Sequence, residues 1–198
     1  MGNIRIPVKK TSIQKKEKIV KVGFELMCEK GYHNVNTVDI AKEAGVSTGI
    51  IYQYFNDKRD IFIEGIRDYS DKIMFPMFSV IDNKKVDKDN FELVLSEMID
   101  KFIKTHTMKK EAHEELMAMG CLDSEIGTFF KNMEFTVTQK ISKILVDSGF
   151  ESNYIEEKVH ILVNLIDNYC HEVVYHKHKE LNYKIMKQEI IKIAKYMI

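Results

Sequence analysis

The 198-residue chain carries 30 basic and 30 acidic side chains, so its overall charge singles out no polyanionic partner. Two prolines, nine glycines and no tryptophan in a background of helix formers argue against a sheet-rich chain. Cys28, Cys121 and Cys170 have no metal-binding spacing, so reduced thiols in a cytoplasmic protein are expected, and no apolar run nears the roughly 18 residues that span a bilayer.

Charge is uneven along the chain. Residues 1–21 hold Arg5, Lys9, Lys10, Lys15, Lys16, Lys18 and Lys21 against the single acid Glu17. That imbalance reads as a basic arm over residues 1–11 and a basic helix start, the kind of surface that meets nucleic acid. From 13 to 30, Ile19, Val22, Gly23, Leu26 and Met27 recur at helical spacing and Gly31 supplies a stop. Thr37 is placed to cap a second helix, ended by Gly45, and Ser47 or Thr48 to cap a third running to about Tyr54. Asp57 opens a long fourth, which Pro76 should kink or end.

The second and third of these helices are short, and together they predict a helix-turn-helix. Ile40, Ala41, Ala44, Val46, Ile51 and Phe55 can form one small core, and Gly45 allows the positive φ of the corner. A second helix lying in a DNA major groove meets phosphates and base edges near its start. Ser47 and Thr48 stand at the positive helix end, and the tyrosines at 52 and 54 carry hydroxyls at reach for phosphate. Thr48, Gly49, Ile50 and Gln53 face the groove; Gln53 has the donor and acceptor for adenine, and Ile50 offers apolar contact to a thymine methyl. Thr37 and Lys58 flank the pair and can clamp phosphates on either side.

The segment 19–62, with its blocks "EKGY", "IAKEAGVSTG" and "IYQYF", resembles the N-terminal DNA-binding domain of the TetR family of bacterial transcriptional regulators. The resemblance implies phosphate contacts by Thr37, Ser47, Tyr52, Tyr54 and Lys58, and base contacts by Thr48, Gly49, Ile50 and Gln53. Two positions depart from the family's habit. Val22–Gly23 replaces a usual pair of alanines, at a cost to the first helix of up to ~1 kcal/mol, and Tyr54 stands where histidine is common.

Beyond a polar stretch at 82–90, longer apolar stripes continue to the C-terminus, with no strand alternation and no internal repeat. The expected fold is all-α, about nine helices, with a DNA-binding domain at 1–57 and a helical ligand-binding and dimerisation domain at 58–198. Tyr69, Met98, Phe102, His106, Met117, Phe129, Phe130 and Met133 are candidates for an inducer pocket, as are Met74, Phe78 and Phe91. Acids such as Glu97, Asp100, Glu134 and Asp167 can neutralise a cationic ligand, though most should be solvated faces. Val159, Leu162, Val163, Ile166, Val173, Ile190 and Ala194 are expected at a homodimer interface built from the last two helices. Ile161, Leu165, Ile185 and Ile191 lie off the main stripes there, and a helix apolar on two faces must bury both.

His171 and His176 lie about 140° apart around a helix and cannot share a metal, whereas Asp167 and His171 have workable spacing. No catalytic constellation stands out, and no metal, cofactor or membrane partner is expected. The sequence thus predicts a ligand-responsive, homodimeric regulator on a palindromic DNA operator, most simply a repressor released by a small hydrophobic or aromatic inducer. The resemblance makes the segment 111–119 and the fourth helix the coupling path. An activator of the same family, or a helical adaptor that does not read DNA, are the alternatives.

Overall fold

The computed structural model describes residues 6–73, 75–82, 85–107 and 110–198, without the side chains of 71–73, 75, 76, 82 and 110–112. Among these residues every regular element is helical, and the chain divides into two compact units.

The first unit comprises Met1–Asp71 together with Glu111–Ile126. It contains α1 (Lys10–Lys30), a 3-10 turn (Tyr32–Asn34), α2 (Thr37–Ala44), α3 (Thr48–Tyr54), most of α4 (Lys58–Ile73) and nearly all of α7 (Lys110–Leu122). Ile19, Met27, Ile40, Ile51, Phe55, Ile61 and Phe62 are fully buried in it. Each such side chain contributes roughly 1.5–3 kcal/mol relative to exposure. Gly23 explains itself here. A Cβ at that position would come within 2.8 Å of Ile61 and 3.1 Å of Ile40, so the glycine is what lets α1 lie against α2 and α4.

Polar ties hold α7 in the same unit. The Tyr32 N–H donates to Glu115 Oε1 at 2.5 Å. Arg59 donates through Nε and Nη2 to the two oxygens of Asp123, at 2.6 and 2.9 Å, and reaches Glu125 at 2.8 Å. Asp123 also accepts from the backbone N–H groups of Glu125 and Ile126, which open α8 (Ser124–Asp147). The guanidinium pulls the Asp123 carboxyl down to about 2, and these two N–H bonds add to it.

The second unit is Lys72–Lys110 with Gly127–Ile198. It holds a 3-10 turn (Phe75–Phe78), α5 (Ser79–Asp82), α6 (Phe91–Thr107), the rest of α8, α9 (Ile155–Tyr175) and α10 (Tyr183–Met197). Local chemistry sets its boundaries. Asp87 and Asn90 exchange side-chain bonds with each other's backbone N–H ahead of α6. Gly149, at φ 81°, ends α8. Asn182 caps α10 by accepting from Lys184 and Ile185. Met98, Ile99, Phe102, Val137, Leu145, Val159, Cys170 and Ile190 form its core.

These units differ in extent from the 1–57 and 58–198 division expected from sequence. The first unit keeps α4 through Asp71 and takes in 111–126, which the Tyr32–Glu115 and Arg59–Asp123 ties, invisible to a local pattern, join to it.

Candidate nucleic-acid interface and effector cavity

The turn between α2 and α3 is built by backbone requirements. Gly45 lies in the left-handed region at φ 70°, ψ 37°, its N–H bonded to Lys42, while the Val46 N–H returns to the Ala41 carbonyl at 2.9 Å. A non-glycine residue would be strained there. The cap of α2 is Asn36 rather than the expected Thr37. The Asn36 side chain accepts from Val38 and Asp39, and Asp39 answers by accepting the Asn36 N–H. Thr37 is thereby free for another partner: its hydroxyl lies 3.0 Å from that of Tyr52, joining the start of α2 to α3. Ser47 occupies the cap position of α3 without a side-chain cap bond.

Ile51 and Phe55 are buried and anchor α3, while Ser47, Gly49, Tyr52 and Gln53 are exposed and Thr48 and Ile50 half-buried. The nearest atom to a Cβ at Gly49 would be 4.0 Å away, so this glycine leaves an open, low surface. Two expected phosphate contacts fall elsewhere. Tyr54 is 5 % exposed, against 54 % for Tyr52, because its position on α3 turns it into the core beside Phe55. Lys58 donates to the carbonyls of Tyr32 and Val35 at 2.6 and 2.7 Å and lies over the Tyr32 ring, so its ammonium ties α4 to the 3-10 turn between α1 and α2. Lys18 Nζ reaches the Gly45 corner, 3.7 Å from where a Cβ would stand, which sequence spacing alone does not reveal.

Two apolar cavities of about 70 and 60 Å³ lie within the second unit. The first is lined by Phe91, Val94, Leu145, Val159, Leu162 and Ala194 among others. The second is lined by Met77, Ile99, Phe102, Val137 and Asp167 among others, and Leu95, Met98, Ile141, Val163 and Ile166 serve both. Of the expected pocket residues, Phe91, Met98 and Phe102 line these cavities, while Phe78 is buried and lines neither. His106 is buried nearby, its Nδ1 3.0 Å from the Phe102 carbonyl and its ring against Phe102. Phe129, Phe130 and Met133 are half-buried on α8 and line neither cavity. Tyr69 and Met117 belong to the first unit, and Met74 lies outside the described residues. The walls are mostly aliphatic and drawn chiefly from α6, α8 and α9, a composition that in sequence looks like ordinary core.

The interface candidates also move. Val159, Leu162, Ile190 and Ala194 are buried in their own unit, and Val163 and Ile166 face its cavities, so that stripe is already used; Val173 is half-buried. The off-stripe positions divide. Ile161 and Ile185 are 57 % and 52 % exposed, whereas Ile191 is buried and Leu165 partly so.

One charged group lines the second cavity. Asp167 on α9 lies 3.4 Å from His171 Nδ1, and burial pushes its carboxyl up to about 6. Burial holds the His106 imidazole below its ordinary value and His171 down at about 4, so both rings are neutral near pH 7.

Residues 19–64 match the family model described as bacterial regulatory proteins, tetR family. The fatty acid metabolism regulator protein of Bacillus subtilis is 36 % identical over 78 residues, 39 % of this chain and 40 % of that protein, so the match spans well under two thirds of this curated relative. Solved structures share the fold along nearly the whole chain. The fatty acid degradation regulator FadR of Bacillus halodurans has a TM-score of 0.65 at 16 % identity, covering 91 % of this chain and 94 % of that one. A transcriptional regulator of Saccharomonospora viridis, solved with choline, has a TM-score of 0.66 at 20 % identity, covering 91 % and 95 %. With the helix-turn-helix geometry and the match at 19–64, the chain carries the DNA-binding domain of the TetR family of bacterial transcriptional regulators.

Proposed function

We propose that the protein binds operator DNA through α3 and is released from it when a small, largely apolar molecule occupies the second unit. The observation that carries this reading is α3 itself. Ile51 and Phe55 hold it rigidly while Ser47, Gly49, Tyr52 and Gln53 stand off its other face. On this reading Ser47, Thr37 and Tyr52 seat the helix on phosphates, with Lys18 and the basic start of α1 adding charge. Thr48, Gly49, Ile50 and Gln53 meet base edges. Tyr54 and Lys58 act from behind, by holding α3 and α4 in place.

A palindromic operator needs two such heads, and the exposed Ile161 and Ile185 give α9 and α10 an apolar surface for a second copy. Release requires that the inducer bind two conformers of the protein with different affinity. The fatty-acid roles and the choline named for relatives belong to those proteins; for this chain they supply two ligand classes to set against each other. Fluorescence anisotropy on random duplex DNA across a salt series tests the reading. Binding should weaken steeply with salt, roughly 0.9 log units of affinity per log unit of salt for each neutralised phosphate. No binding at low salt refutes it.

A further inference from the structure

Asp167 stands in an unusual position for a carboxylate. The rest of the second cavity's wall is apolar: Met77, Leu95, Met98, Phe102, Val163 and their neighbours. The titratable groups around it come from three helices. His171 on α9 is 3.4 Å away, His106 approaches from α6 and Glu134 from α8. Both imidazoles are held neutral by burial, and Glu134 adds negative charge. Among the described residues no lysine or arginine pairs with Asp167; Lys187 is taken by Asp100 at 2.7 Å. Yet the Asp167 side chain keeps 40 % of its surface, which places it at the reachable side of the cavity rather than sealed within it.

A carboxylate crowded by apolar atoms is relieved by protonation or by a counter-cation. We propose that this cavity binds an organic monocation, a protonated amine on a compact apolar body, with Asp167 as its counter-charge. The ammonium N–H groups donate to the carboxylate, and the body lies against Phe102, Met98 and the aliphatic wall. A ligand headed by a carboxylate meets like charge at the same point and is disfavoured. This deepens, and rests on, the reading of the second unit as the effector site.

The test titrates the full-length protein, without DNA, by calorimetry with three probes of similar body: phenethylammonium, phenethyl alcohol and hydrocinnamate. The cation should bind roughly tenfold or more tighter than the alcohol, and hydrocinnamate weakest, since a hydrogen bond to a charged group is worth that much. Asp167→Asn should abolish the preference for the cation over the alcohol. The cation's affinity should fall as pH drops through about 6, because protonation removes its partner, whereas the amine stays protonated throughout. If Asp167→Asn does not fold, the wild-type pH dependence of cation against alcohol decides. Equal binding of cation and alcohol, preference for hydrocinnamate, or no binding of any probe at millimolar concentration overturns the proposal. Cation binding without DNA binding would refute the regulator reading alone; DNA binding without cation preference would refute the ligand class alone.

Discussion

Gly23 looks like a weak point in α1 and is a packing requirement. Placing a methyl group 2.8 Å from Ile61 forces α1 away from α4, and the small gain in helix propensity does not offset that. Gly23→Ala should therefore destabilise the protein by about 1–3 kcal/mol in urea unfolding. A neutral or stabilising result would mean that the isoleucines yield. At the next helix, Asn36→Ala should cost about 1 kcal/mol through the lost cap. Thr37→Ala should leave α2 intact and instead free Tyr52, weakening DNA binding with little change in unfolding midpoint. The sequence put the cap one residue late, since Asn and Thr both suit that role and only backbone direction distinguishes them.

Among the elements, the extent of α3 and its inward anchors Ile51 and Phe55 were legible from sequence, whereas the burial of Tyr54 was not. Replacing Gln53 by alanine should shift the sequence motif selected from a random duplex library. Tyr52→Phe should weaken all sequences similarly. An unchanged motif in the first case would remove Gln53 from base reading. The attachment of α7 was not legible. Its ties to the reading head run from Tyr32 to Glu115 and from Arg59 to Asp123, separations that no local pattern reports. Asp123 has a depressed folded-state value of about 2, so its stabilising contribution is complete above the ordinary carboxylate range and is lost as pH falls towards 2. Urea midpoints measured from pH 5 downward should drop more for the wild type than for Asp123→Asn. Parallel curves would mean that the pair contributes nothing.

For the molecule as a whole, the proposed function gives DNA binding to one unit and ligand binding to the other, so each should be breakable separately. Ile161→Glu combined with Ile185→Glu should halve the mass seen by light scattering and weaken operator binding, while the monomer keeps its helical circular dichroism. A variant that remains dimeric would move the interface off these exposed positions. Ligand and DNA should be antagonistic in both directions, each weakening the other by the same factor, because coupling between binding free energies is reciprocal.

By itself the sequence determined the all-helical class, the turn at Gly45 and the face of α3 turned outward. These follow from short-range rules: helical period, caps and the one residue type that accepts positive φ. Tertiary structure decided what depends on neighbours distant in the chain. It turned Tyr54 inward, gave Lys58 two carbonyls to hold, and used up the α9 stripe of Val159 and Leu162 inside its own unit. It also left Asp167 lining an apolar cavity. A carboxylate on a helix reads the same in sequence whether its outward face meets water or a cavity, and only the packing of α6 and α8 around it settles which.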